Sequence, residues 1–408
     1  MNSKIRVQLS LMMFLEFFIW GGWFVTLGTF LGNNLNAADG QIAQAFSTQS
    51  WGAIVAPFII GLIADRFFNA ERILGVLHIL GAVLMYLMSQ TTDFSVFYPY
   101  VLGYMIAYMP TLALVNSVAF NQMKDPSKDF PFIRVWGTVG WIVAGLLISF
   151  LGWDSEASVA EGLLSNTFLM VAIASGVLGV FSFVLPKTPP KASGDEKITI
   201  GDIIGLDALK LLKDRNFLVF FISSVLICIP LAFYYQNLSP FLTESKVEGS
   251  TAWAALGQVS EVVLMLLLPF FFKKFGFKKT ILVGMLAWAL RYLLFAYGNA
   301  GDMFFMIVVG IALHGICYDF FFVSGQIYTD SKAGEKFKSA AQGLITLATY
   351  GIGMLIGFWV AGEVSNAHLL EGGGHNWKSV WVFPAIFAAG VMVLFALFFK
   401  NETIEYKE

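Results

Sequence analysis

The chain alternates between long apolar runs and short polar punctuation. Apolar stretches fall at about 8–30, 48–65, 73–91, 95–122, 133–152, 166–186, 217–238, 252–272, 279–298, 303–328, 338–361 and 379–400. Each comes close to or exceeds the roughly 20 mainly apolar residues that a helix needs to cross a bilayer. The pattern predicts an all-α integral membrane protein of twelve transmembrane helices, spans 1 to 12, with no length left for a soluble domain. The longest connection runs from Lys187 to Arg215 and opens on the proline-rich stretch 186–191. It predicts two six-helix bundles, residues 1–186 and 216–408, joined by a cytoplasmic linker at 187–215. Within that linker, the stretch from Asp207 to Lys213 has the pattern of a short amphipathic helix lying on the membrane surface.

Composition agrees with lipid as the solvent. Hydrophobic residues make up 57% of the chain and charged residues 13%, with a mean hydropathy of +0.73. Soluble domains carry about a quarter charged residues, so this chain cannot cover a water-facing surface. The net charge of −2 says little about partners, and no basic stretch points to a nucleic acid, so none is expected. Cys228 and Cys317 both lie in apolar runs, which suits neither a disulfide framework nor a metal cluster. Lys4 and Arg6 before an apolar stretch resemble a signal peptide. That stretch continues to about Phe30, carries Glu16 and lacks a small-residue cleavage site, so it reads as an uncleaved first span.

Loop charge sets an orientation. The even-numbered loops carry Arg66, Arg72, Lys124, Lys128, Lys273, Lys274, Lys278, Lys279, Lys332 and Lys336, and the central linker adds further lysines. The odd-numbered loops hold only Lys246 and Lys378 against an acidic majority that includes Asp93, Asp154, Glu244 and Glu371. Lys/Arg excess marks the cytoplasmic side, which places both termini and the linker inside.

Ionisable groups within spans are costly and therefore functional candidates. They are Glu16, His78, Glu261, Arg291, His314 and Asp319, with Arg134 and Glu363 near span edges. Arg134, Thr138 and Trp141 recur at i, i+4 and i+7 and share one helical face. A cation, a hydroxyl and an aromatic ring there suit a polar ligand with a flat base, whereas Arg134 alone could equally be an interface anchor. Gln258 and Glu261 lie one turn apart, offering an amide for a nucleobase edge and a carboxylate for ribose or a proton. The alternative for Glu261 is a structural ion pair with Arg291. His314, Tyr318 and Phe322 share a face of span 10, and Asp319 is turned about 100° from Tyr318. Asp319 is either a proton site or a helix–helix bond, and His314 receives no role. Glu16 leads a face through Trp20 and Trp23, and Asn116 is a plausible polar lining residue. Asp65, Arg66 and Arg72 read as a cytoplasmic gate or as a topology signal.

The segment from Gly61 through Asp65-Arg66 to Arg72 resembles the signature of the major facilitator superfamily, with Asn69-Ala70-Glu71 inserted where the pattern is interrupted. Further segments resemble the nucleoside:proton symporter family of that superfamily, in order along the chain. They are 17–23 (with Trp20 and Trp23), 107–112, 130–140 (with Arg134 and Thr138), 205–208, 258–261 and 318–321. The resemblance implies inward nucleoside transport driven by the proton gradient. It also implies nucleoside contact by Arg134 and its neighbours and a substrate site drawing on Arg134, Thr138, Trp141, Gln258, Glu261, Tyr318 and Phe322. Glu261, Asp319 and Glu16 are the proton-coupling candidates. Span 7 departs from the family pattern: Ala232 stands where members present a polar residue, and the polar cluster Tyr234-Tyr235-Gln236-Asn237 follows it. Gln236 and Asn237 are therefore added to the candidate site.

The expected protein is a monomeric importer of nucleosides and protons in a bacterial inner membrane, with no cofactor and no metal. A sugar or glycoside symporter, a small-molecule exporter and a non-transporting sensor are the alternatives. An enzyme would need a nucleophile or metal constellation, and scattered histidines with two isolated cysteines supply neither.

Overall fold

A computed structural model describes residues 2–59, 68–123, 126–189 and 206–402. The fold is all-α and of the major facilitator type. Among the described residues, eleven helices are long and apolar enough to cross a membrane. The expected second span, 48–65, begins in the helix Asp39–Ile59 and runs beyond the described residues.

Several helices begin where the preceding residue supplies a side-chain acceptor for their free N–H groups. Asn2 caps Ser3–Phe24 through Lys4 N (3.1 Å), and Asp93 caps Phe94–Asn121 through Ser95 N (2.8 Å). Asp214 caps Arg215–Glu244 through Phe217 N (2.9 Å), and Asn376 caps Trp377–Phe398 through Ser379 N (3.3 Å). Spans 8 and 9 form one continuous stretch, Ser250–Tyr297, broken only where Gly276 takes φ 74° and ψ 171°. Those angles lie in a region essentially reserved for glycine. Each helix turns one face outward and apolar. Ala70–Ser89 exposes Val76, Ile79, Leu80, Val83 and Tyr86 while burying Gly75, His78 and Gly81.

The chain divides into two compact units, residues 1–197 with 248–255, and residues 198–247 with 256–408. In the first unit Ser3–Phe24 packs on Pro126–Phe150, Ala70–Ser89 on Ser165–Ser182, and Asp39–Ile59 on Phe94–Asn121. With no hydrophobic drive between helices in lipid, small residues set how close they come. A Cβ on Gly140 would lie 2.1 Å from the Phe14 carbonyl oxygen, so spans 1 and 5 touch backbone to backbone there. The insertion at Asn69-Ala70-Glu71 has a structural partner. The buried Glu71 carboxylate accepts from Thr188 N (2.8 Å) and Asn69 Nδ2 (2.8 Å), and Ala70 N donates to the Thr188 carbonyl (3.0 Å). Two loop residues classed above by charge also have bonding partners. Asp154 accepts from Ser149 Oγ (2.6 Å) and Thr251 N (2.9 Å) within the first unit. Glu244 accepts from His375 N (2.9 Å) and Trp377 Nε1 (2.7 Å) within the second.

In the second unit Arg215–Glu244 packs against Met354–Ala367 and Trp377–Phe398. The expected surface helix is a 3-10 helix, Leu206–Lys213. Its Ala208 is fully buried against Ala333, Ala341 and Leu344, so this segment docks on the protein and presents only part of its apolar side outward. Span 10 runs Phe304–Ala312, His314–Tyr318 and a π-helical turn Asp319–Val323 into Ser324–Thr346. A second π-helical segment, Leu347–Gly353, interrupts span 11. Such widened turns change which side chains face a neighbour and recur at functional sites. Beyond the last span, Glu402 accepts from Asn216 Nδ2 (3.0 Å) and Tyr328 OH (3.1 Å) and pairs with Lys332, which also reaches Asp214 (3.2 Å).

Two measurements check this framework. Gly276→Ala should lose about 1–3 kcal/mol of stability, because the new Cβ strains a backbone only glycine adopts. Gly343→Ala, on an exposed helical position with open space around it, should be neutral or slightly stabilising in the same detergent unfolding assay. The second measurement concerns pH. Burial alone would raise the carboxyls of Asp214 and Glu402. Their bonds to Phe217 N, Lys332 and Asn216 outweigh it and hold both below their ordinary values. A depressed carboxylate stabilises the fold fully above its unfolded value and loses that contribution as pH falls through the folded one. Melting temperature should therefore drop as pH falls below about 4.5. Glu402→Gln should lower it near neutrality and shrink that acid-induced drop.

Candidate functional site

The predicted site residues divide between the two units, and each unit assembles its share around a buried charge. In the first unit the centre is Glu16, fully buried midway along span 1. A carboxylate removed from water must find donors, and those that reach Glu16 come from other spans. Span 3 supplies His78, whose Nε2 lies 2.8 Å from Glu16 Oε2, and span 4 supplies Thr111, whose Oγ1 donates to Glu16 Oε1 (2.6 Å). Tyr108 OH donates to the Glu16 carbonyl (2.7 Å). Span 6 closes the chain: Ser175 Oγ sits 3.2 Å from His78 Nδ1 and donates to the His78 carbonyl (2.8 Å). Four helices are thereby tied to one carboxylate.

On span 5, Arg134, Thr138 and Trp141 do share a face. Arg134 is half-buried with its guanidinium 4.0 Å from the Phe17 ring centre, a cation–π contact that leaves its edge N–H groups available. Thr138 is half-buried. Trp141 packs edge-on against Trp20 (5.5 Å) and lies against Gly21, where a Cβ would come within 2.8 Å of the indole. Asn116 is half-buried and Glu363, in the second unit, is exposed. Of the expected gate, Asp65 and Arg66 fall outside the described residues, and Arg72 is exposed.

In the second unit the centre is Arg291, fully buried on span 9. Its guanidinium carbon lies 3.4 Å from the Tyr234 ring centre, 5.5 Å from Trp288 and 5.7 Å from Phe295. Nη1 is 3.1 Å from His314 Nδ1, while Nε and Nη2 have no hydrogen-bond partner among the described residues. His314 stacks on the same Tyr234 ring at 5.1 Å, and its Nε2 faces Glu261 Oε2 at 3.9 Å. The pair anticipated between Glu261 and Arg291 is therefore bridged: His314 stands between them. Gly257 makes room for it, since a Cβ there would lie 3.1 Å from His314 Cβ and 3.3 Å from Tyr234 OH. One turn on, Gly315 presses on the Ser260 backbone (2.6 Å from its virtual Cβ) and its N–H donates to Ser260 Oγ (3.0 Å).

Gln258 is 9% exposed and Glu261 15%, so neither side chain is sealed completely. Tyr318 continues the aromatic face from His314 (5.7 Å) to Phe322 (5.0 Å). Its hydroxyl meets that of Tyr350 at 2.6 Å, across the two π-helical segments. Asp319 is fully buried, and neither of its oxygens has a hydrogen-bond partner among the described residues. On span 7, Asn237 Nδ2 donates to Ser365 Oγ (3.1 Å) and so serves helix packing. Gln236 is buried, and its amide oxygen has no hydrogen-bond partner among the described residues.

Sequence reasoning missed His78, Tyr234, Arg291 as a site member, and Tyr350. The first and third were visible as intramembrane ionisable groups, but nothing local announced their partners. Tyr350 carried no signal among so many aromatic residues. No group of three or more His, Cys, Asp or Glu placed to hold a metal occurs among the described residues.

The arrangement offers a polar, aromatic-lined surface with carboxyl groups that can hold protons, and comparison with known proteins agrees with that character. The chain is 44% identical to the putative nucleoside transporter YegT of Escherichia coli K12, over 98% of this chain and 95% of that one. It is 29% identical to the nucleoside permease NupG of the same organism, over 98% and 97%. A crystal structure of a NupG mutant superposes with a TM-score of 0.88 at 27% identity, covering 97% of this chain and all of that one. The family profile described as nucleoside H+ symporter matches residues 1–404. This chain belongs to the nucleoside H+ symporter family.

Proposed function

We propose that the chain imports nucleosides together with protons across a bacterial inner membrane by alternating access, acting as a monomer with both termini in the cytoplasm. The observation that carries the site assignment is Glu261. It is an intramembrane carboxylate left partly open, one turn from the amide of Gln258 and facing an imidazole. The amide matches the donor–acceptor edge of a base, Tyr318 and Phe322 offer faces for stacking, and the guanidinium edge of Arg134 can donate to sugar or base oxygens. Trp141 walls the first-unit contribution and Thr138 adds a hydroxyl. Gln236, whose buried amide oxygen has no hydrogen-bond partner among the described residues, is the span 7 contact, while Asn237 holds span 7 to span 11.

Two carboxyls share the proton work. Glu261 can meet both substrate and solvent. Asp319, buried with no donor to its carboxylate among the described residues, would be expensive to leave ionised, which suits a proton-bearing state. Glu16, already satisfied by His78 and Thr111, is a structural and tuning group rather than the exchanging one. Asp65, Arg66 and Arg72 act as a cytoplasmic gate.

Reconstituted into proteoliposomes, the protein should accumulate labelled uridine or adenosine under an inward proton gradient; no accumulation of either, with neither competing for any substrate that is accumulated, overturns the reading. Glu261→Gln should abolish uphill accumulation while nucleoside exchange persists, and unchanged uphill uptake would remove Glu261 from the coupling role. Arg134→Gln should weaken nucleoside binding at least tenfold, the size expected for losing a charge-assisted hydrogen bond worth about 1.5–3 kcal/mol. Tyr318→Phe removes the bond to Tyr350 and should cost about 1 kcal/mol in stability or binding.

A further inference from the structure

The interaction between Arg291 and His314 has a chemical consequence that follows from donor inventory alone. A guanidinium has five N–H groups and no acceptor. At 3.1 Å from Arg291 Nη1, His314 Nδ1 must therefore accept, and an accepting Nδ1 carries no proton. The ring proton then sits on Nε2, the nitrogen facing Glu261 Oε2 at 3.9 Å. We propose that Arg291 locks His314 in the neutral tautomer with its proton on Nε2, making His314 a fixed donor that positions the Glu261 carboxylate and not itself a carrier of the transported proton. This rests on the assignment of Glu261 as the coupling residue.

The surroundings hold the lock in place. The Tyr234 ring packs on both partners, 3.4 Å from the guanidinium carbon and 5.1 Å from the His314 ring, with the imidazole tilted only 19° from it. Trp288 and Phe295 complete an aromatic cage around the cation, so Arg291 is held by ring faces as well as by His314. The ionisable groups around the imidazole are Tyr234 from span 7, Glu261 from span 8, Arg291 from span 9, and Tyr318 and Cys317 on its own span. Arg291 is the only fixed cation among these. At 3.9 Å the Nε2–Glu261 approach is longer than a hydrogen bond. A shift of about 1 Å in the Glu261 side chain closes it, and that motion is available to a partly exposed side chain. The donor is thus poised for one position of the carboxylate and out of reach in another, which ties Glu261 geometry to its readiness to release a proton.

Nitrogen-15 NMR of the imidazoles reads the tautomer directly. The chain has four histidines, and His314→Gln assigns the signal that disappears. In the wild type, His314 should show a bare Nδ1 and a protonated Nε2, unchanged across the range where histidine ordinarily titrates, about pH 5 to 8. An imidazolium signal, or a proton on Nδ1, overturns the proposal. In Arg291→Met nothing obliges Nδ1 to accept, so part of the His314 signal should report a proton on Nδ1; a signal identical to the wild type means that Arg291 is not the lock, and the proposal fails. The functional arm compares two replacements. His314→Gln keeps a donor and should hold proton-driven uptake within about threefold. His314→Phe keeps the stack on Tyr234 but has no donor, and should move the pH midpoint of uptake upward by about one unit. Identical pH profiles for wild type and His314→Phe contradict the positioning role. Absence of nucleoside transport by the wild type would sink the function proposed above, while the tautomer signal would still decide the Arg291–His314 lock.

Discussion

A charge inside a bilayer has no water to fall back on, and every polar feature of this protein answers to that constraint. The guanidinium of Arg291 is wholly buried, and the fold around it is arranged to replace water with ring faces and one imidazole. Glu16 poses the same problem in the first unit and is solved with hydrogen bonds: His78 and Thr111 reach its carboxylate, and Ser175 on a further helix holds His78. The two solutions differ in kind. Glu16 is fully satisfied, which ties spans 1, 3, 4 and 6 together. Two of the three Arg291 guanidinium nitrogens, Nε and Nη2, have no hydrogen-bond partner among the described residues, so its charge is held largely by aromatic contact.

That difference separates scaffold from working part. The Glu16 carboxylate has bonding partners on both oxygens, whereas Glu261 is partly exposed and neither Asp319 carboxylate oxygen has a hydrogen-bond partner among the described residues. The two π-helical segments sit beside these residues, on spans 10 and 11, where the Tyr318–Tyr350 hydroxyl contact joins them. Widened turns of this kind hold backbone in a less economical form, and their placement next to the carboxyls matches the usual location of such turns near function.

Much of this could be read in the chain before its fold was known. Span positions follow from the apolar runs, and the list of costly intramembrane groups contained Glu16, Glu261, Arg291, His314 and Asp319. What one-dimensional reading lacks is the partner. Hydropathy shows that a buried charge must be satisfied but not by whom, so a pair between Arg291 and Glu261 stood as one alternative, and His314 as a contact of both was not visible. The pairing of Glu16 with His78 was hidden for the same reason, because the two are separated by 62 residues. The interruption at Asn69-Ala70-Glu71 looked like a departure from a motif. In three dimensions Glu71 is an anchor for the chain after span 6 at Thr188. The surface helix expected near Asp207 likewise showed its period but not its docking partner, a patch of alanines on the following spans. Local pattern reports cost and periodicity; partners come from topology.

The central claim is that nucleoside entry and proton entry are one event at Glu261. Its most direct test is proton movement triggered by the substrate itself. Uridine or adenosine added to lightly buffered, de-energised vesicles containing the protein should draw protons inward and make the outside more alkaline, in proportion to nucleoside taken up. Glu261→Gln vesicles should take up nucleoside down its gradient with no alkalinisation. Nucleoside flux without proton movement in the wild type, or proton movement undiminished in Glu261→Gln, would contradict the account.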